Sequence, residues 1–217
     1  MLVRGTARPV SSFFHGNGIP MFAMPPATQA VILSCVVVFL MQSLGVDGLA
    51  AFALWPMSSG NFMPWQVLSY SFLHGGFSHL IFNMFGLWMF GAELERVWGA
   101  KRFLIFYFAS VLCGALAQLA IAAWSGSNTP AIGASGGLFG LLAGFAMLFP
   151  KRTIVPLIPP IPMPAWLFVV LYGLVELTLG VTGSMSGVAH FAHLGGILGG
   201  WLTLRYWRGQ IPFGSRR

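Results

Sequence analysis

The chain has 217 residues, of which 57% are hydrophobic and only 7% charged, and its mean hydropathy is +0.81. So few charges exclude an ordinary soluble domain. The net charge of +7 does not point to nucleic acid, because all eleven basic residues fall in short groups between apolar runs, the pattern of cytoplasmic loops under the positive-inside rule.

No Asp, Glu, Lys or Arg occurs in residues 48–92 or 103–150. Both runs far exceed the roughly 20 apolar residues that cross a bilayer. The expected fold is therefore an all-α polytopic membrane protein, with a length that suits one bundle. Cys35 and Cys113 each lie inside an apolar run and have neither disulfide nor zinc spacing, so no metal or cofactor is expected.

Residues 1–26 read as a cytoplasmic lead-in, polar and containing Pro and Gly, without the apolar core of a signal peptide. The first span covers about 27–46. Residues 47–77 form a long outer segment, broken by Pro and Gly, whose Trp55, Trp65 and Tyr70 suit the lipid interface. The second span covers about 78–93 and ends at a basic turn, 96–102. The third covers 103–124, and a charge-free outer loop, 125–132, follows it.

The fourth span, 133–149, is short, about 25 Å at helical rise against a core of about 30 Å. Pro150, Lys151 and Arg152 end it, and a stiff connector with five prolines occupies 153–164. The fifth span covers 165–179, an outer loop 180–187, and the sixth span 188–205. Six spans with both termini inside place every basic residue on the cytoplasmic face. The domain reading is thus 27–207 as one six-span unit, followed by a basic cytoplasmic tail, 208–217.

This topology has a consequence for polar residues. Spans two, four and six all run inward, and each carries unusual polar residues in its first two turns: His79 and Asn83, Ser135, and His190 and His193. All five therefore lie near one depth in the outer part of the membrane. His79 and Asn83 are four apart and share a helix face. Singly, such groups fit interhelical hydrogen bonding, and Ser135 among glycines fits close helix packing. Together at one depth, they point to a functional site.

These residues resemble the three signatures of the rhomboid intramembrane serine proteases: Gly133-x-Ser135-Gly136, His79-x-x-x-Asn83, and Ala192-His193-x-x-Gly196-x-x-x-Gly200. They occur in the family's order over about residues 65–201. The resemblance implies a six-helix bundle with a short central fourth helix and a Ser–His dyad. In that scheme Ser135 is the nucleophile and His193 the general base and acid. His79, Asn83 and the backbone N–H of Ser135 would donate to the oxyanion.

Ala-His occurs twice, at His190 and His193; only His193 precedes the Gly196/Gly200 pair, so His190 is read as a supporting residue beside Gly133, Gly136, Gly196 and Gly200. No triad acid is evident, and Glu176 is read as outer support at most. Gln66 stands where many members have Arg after Trp. Glu95-Arg96-x-x-Gly99 resembles the family's structural turn after span two, and His74 is expected to hold the outer segment.

The resemblance further implies cleavage of transmembrane protein substrates, which enter from the lipid bilayer, in a bacterial cytoplasmic membrane. It leaves the oligomeric state open. The competing readings are a proteolytically silent relative that binds membrane helices and a small transporter or channel. The first would lack Ser135 or His193, and the second would show an inverted repeat or broken helix pair at mid-depth.

Overall fold

The apolar runs fold into a helical bundle, seen in a computed structural model that describes residues 24–156, 159–183 and 189–210. The expectations for the lead-in, for the outer loop at 180–187 and for the basic tail fall wholly or largely outside those residues. The long helices are α1 (Pro26–Ser43), α3 (Phe77–Gly86), α4 (Ala92–Trp98), α5 (Ala100–Ser125), α6 (Ser135–Leu148), α7 (Ala165–Thr182) and α8 (His190–Trp207), with one short turn, α2 (Gln66–Ser69). A π-helical turn, Leu87–Gly91, joins α3 to α4, so that stretch runs unbroken to Trp98, past the expected end at 93. Among the described residues, α1, α5 and α7 are long and apolar enough to cross a membrane.

Glycine decides which helices meet most closely. A Cβ on Gly196 of α8 would collide with the carbonyl oxygen of Gly136 in α6, and one on Gly200 would sit 2.6 Å from that of Gly140. On another face of α8, Gly195 and Gly199 press on Cys113 of α5 in the same way. Small residues let backbones approach and gain dispersion contacts without a hydrophobic driving force. The α5–α6–α8 core follows from that spacing. At 14 residues, α6 is about 21 Å long, shorter than expected, because its helix begins at Ser135 and not at Gly133.

Residues 47–77, expected as an outer segment, form a cap on the bundle. Gln66 is fully buried; its amide accepts from the Trp55 backbone N–H and donates to Ala51 and Asn61 carbonyls. Leu54 and Ala131 exchange two backbone hydrogen bonds, and Gly133 N–H donates to Tyr70, so the cap is tied to the loop that leads into α6. His74 donates its backbone N–H to Gln42 of α1, whose amide returns a bond to the His74 carbonyl.

The other end of the α3–α4 stretch is fixed by Glu95. Its buried carboxylate accepts from Ala27 N–H (2.9 Å), Thr28 N–H (2.6 Å) and Thr28 Oγ1 (2.7 Å). Those amides belong to the first turn of α1, which has no side-chain cap of its own. A carboxylate there satisfies orphan donors and complements the helix dipole. The stiff proline-rich connector also carries a strand pairing that its sequence did not suggest. Thr153–Ile154 (β1) pairs antiparallel with Met163–Pro164 (β2) before α7 begins.

Candidate active site

Ser135 opens α6 two residues after Gly133, whose φ of +126° is one that side chains rarely adopt. A Cβ on Gly133 would lie 2.8 Å from His79 Nε2 and 3.6 Å from Ser135 Oγ, so both side chains border the space that glycine leaves. Ser135 Oγ lies 2.6 Å from Nε2 of His193, the fourth residue of α8. The Gly136–Gly196 contact, one residue beyond the serine and three beyond the histidine, is what allows the two helices this proximity.

Phe139, one turn after Ser135, fixes the imidazole plane. Its ring stacks on His193 with centroids 4.4 Å apart and an 8° angle between planes. Helix α6 thus supplies the hydroxyl and, at i+4, the surface against which the histidine rests.

The lone acid of α7 lies behind that histidine. Glu176 Oε2 is 2.8 Å from His193 Nδ1 and 2.7 Å from His190 Nδ1, and all three side chains are buried. No triad acid was evident in the sequence and Glu176 was expected to be outer support at most; its carboxylate touches the histidine directly. The link was hidden because 14 and 17 residues and a loop separate Glu176 from the two histidines. His190 is accordingly a direct partner of Glu176.

Glu176, His190 and His193 offer three ligand atoms within 4.8 Å of one another, a set that could be read as a metal centre. The spacing argues against it. Ligands on a tetrahedral zinc at about 2.0 Å are about 3.3 Å apart, whereas the Oε2–Nδ1 distances here are those of charge-assisted hydrogen bonds.

His79 and Asn83 both lie on α3. Gly75 N–H donates to His79 Nδ1 (3.3 Å), which leaves the proton of a neutral ring on Nε2, the atom beside Gly133. Asn83 Nδ2 donates one hydrogen to the His79 carbonyl (2.9 Å), and its other hydrogen has no partner among the described hydrogen bonds. Asn83 is buried and lines the same cavity as Ser135, His193 and Glu176; its volume is about 380 Å³. His79 and His190 are not among the residues lining it. The remaining walls are apolar, with Phe82 and Phe85 of α3 on one side and Phe168 and Tyr172 of α7 on the other. The first turn of α6 adds backbone N–H groups that lack intrahelical partners.

His74 sits just before α3, stacked edge-on against His79 with centroids 5.2 Å apart. Its Nδ1 donates to the Phe72 carbonyl. Burial, and then the neighbouring His79, lower its pKa to about 4, so it is neutral at pH 7.

The Rhomboid domain family model matches residues 61–209. The chain is 35% identical over 155 residues to the mitochondrial Rhomboid protein 1 of Saccharomyces cerevisiae, covering 63% of this chain and 41% of that protein. It is 31% identical over 141 residues to Rhomboid protease GluP of Bacillus subtilis, covering 64% and 25%. With Rhomboid protease GlpG of Serratia proteamaculans it shares 29% identity over 188 residues, covering 84% and 62%. The chain thus spans between a quarter and about three fifths of the length of these relatives.

Proposed function

Because this chain belongs to the rhomboid family, we propose that it is an intramembrane serine endopeptidase that cleaves other membrane proteins in or beside a transmembrane segment. The observation that carries the proposal is the 2.6 Å contact between Ser135 Oγ and His193 Nε2 in a cavity walled by α3 and α7. A silent relative has no need of that contact.

In this mechanism Ser135 Oγ attacks the scissile carbonyl carbon while His193 Nε2 takes its proton. The resulting oxyanion accepts from the Ser135 backbone N–H, from the second Nδ2 hydrogen of Asn83 and from His79 Nε2–H. Such donors, fixed before the charge forms, are the largest stabilising influence available to the reaction. His193 then protonates the leaving amine, and water, activated by the same nitrogen, releases the acyl group from Ser135.

The substrate segment enters from the bilayer between α3 and α7 and unwinds locally, since an intact helix keeps its carbonyls hydrogen-bonded. The chain crosses the membrane six times: α1, the α3–α4 stretch, α5, α6, α7 and α8. Both termini lie on the cytoplasmic side of a bacterial inner membrane, as the basic residues at 96–102, 151–152 and 205–208 favour. The shortness of α6 sets Ser135 below the outer surface, where water reaches it from above.

The test is cleavage of a single-span reporter protein in liposomes by His193→Ala and His190→Ala. His193→Ala is expected to lose at least about a thousand-fold in kcat, and His190→Ala less than about ten-fold. Full activity in His193→Ala overturns the assignment of the base. Reporter fusions at the two termini check the topology; a periplasmic terminus contradicts it.

A further inference from the structure

We infer that Glu176 is a positioning residue of the hydrolytic machinery, forming with His193 and Ser135 a Ser–His–Glu relay, with His190 as a second anchor for the carboxylate. This rests on the proposed protease reading and extends it to a residue that the Ser135–His193 pair alone does not require.

A carboxylate can only accept, so both Nδ1 atoms that approach Glu176 Oε2 must carry hydrogens. A neutral His193 with its hydrogen on Nδ1 has its lone pair on Nε2, 2.6 Å from Ser135 Oγ. That is the one neutral tautomer able to take the serine proton. Without the acid, the tautomer with hydrogen on Nε2 would compete, and it can only donate to Ser135.

Geometry adds a second reason. Phe139 restrains the ring plane by stacking, yet stacking does not fix rotation within that plane. A bond at Nδ1 does, and it holds Nε2 on the serine. When His193 accepts the proton, a carboxylate 2.8 Å away offsets the new positive charge in a poorly screened site. The proton stays on the imidazolium until it passes from Nε2 to the leaving amine, and Glu176 remains ionised throughout.

His190 gives the arrangement its rigidity. Its Nδ1–H binds the same oxygen from one turn earlier on α8, and its Nε2 is buried with no partner among the described residues. With the oxygen held from two points on one helix, α7 cannot turn Glu176 away from the base.

The experiment uses the full chain in detergent, with a single-span reporter and a fluorophosphonate that labels activated serines. Ser135→Ala is the control for the protease reading. Glu176→Gln keeps the shape but loses the charge and one acceptor site; it is expected to lower kcat by about a hundred-fold or more while KM changes less than about two-fold. Fluorophosphonate labelling of Ser135 should slow by a similar factor, with an unchanged Tm. Glu176→Asp should recover part of the rate, and His190→Gln should lose less than about ten-fold, since the Glu176–His193 bond persists.

Glu176→Gln with near-normal kcat and labelling, beside an inactive Ser135→Ala, overturns the inference and leaves the protease reading standing. A Tm that falls in step with activity in both Glu176 variants assigns the carboxylate to packing, and also overturns it. Full cleavage by Ser135→Ala defeats the protease reading itself.

Discussion

Glu95 and Glu176 are both buried carboxylates in a chain with only four acidic residues, and their surroundings differ in kind. Glu95 accepts from two backbone amides and a hydroxyl at the start of α1, all donors whose protons stay where they are. Glu176 accepts from two imidazoles, one of which meets a serine on its far side. A buried charge with fixed donors serves as a structural fastener. Facing a group that changes protonation state, the same charge can influence a reaction. On the proposed reading, one bundle thus has a structural end and a reactive end, built from the same chemical group.

Substitutions test whether the two ends are as separate as that contrast requires. The largest effect expected outside the Ser135–His193–Glu176 chain is on Asn83→Ala, at the reactive end. Loss of one oxyanion donor should lower kcat by about a hundred-fold, near 3 kcal/mol, with little change in Tm. A fall in Tm without a fall in kcat per folded molecule would return Asn83 to the role of interhelical support.

Glu95→Ala should show the reverse. It leaves buried amides of α1 without an acceptor, for a loss of about 2–3 kcal/mol in stability, while the folded fraction cleaves at the normal rate. An equal loss of kcat would mean that the ends are coupled. Gly196→Ala probes the join between them. Its methyl group would strike the Gly136 carbonyl, and the overpacking should cost about 1–3 kcal/mol while separating His193 from Ser135. Tm and kcat should therefore fall together, unlike in either preceding variant.

The smallest effect concerns pH. His74 is held neutral by burial, with its pKa lowered from the ordinary 6.5 to about 4. A depressed histidine adds stability that is complete above the unfolded pKa and is lost as pH falls from about 6.5 towards 4. The outer cap should accordingly loosen across that range, seen as a Tm that drops by a few degrees. His74→Gln should flatten the drop; an identical pH dependence in the variant removes His74 as its source.

Local spacing made much of this molecule legible before any coordinates. The i, i+4 relation of His79 and Asn83, the glycines after Ser135 and the Gly196/Gly200 pair each describe a single helix face. The contacts across α6 and α8 then follow from which faces are small enough to touch. Glu176 was not legible in the same way. One acid in an apolar helix has no period, and its partners lie on another helix beyond a loop. Gln66 is a similar case: one side chain closes three hydrogen bonds within the outer cap, and sequence order does not reveal that a short loop folds back around it. The π turn at Leu87–Gly91 escaped for another reason, since an apolar run of Leu, Trp, Met and Phe reads like any helix and only the register shifts.

The most direct test of the account is cleavage of a single-span reporter reconstituted in liposomes by purified wild-type chain and by Ser135→Ala, compared at equal folded concentration. The wild type is expected to cleave at one region of the transmembrane segment, and the variant to lose at least about a thousand-fold in rate. Cleavage by Ser135→Ala at the wild-type rate would contradict it.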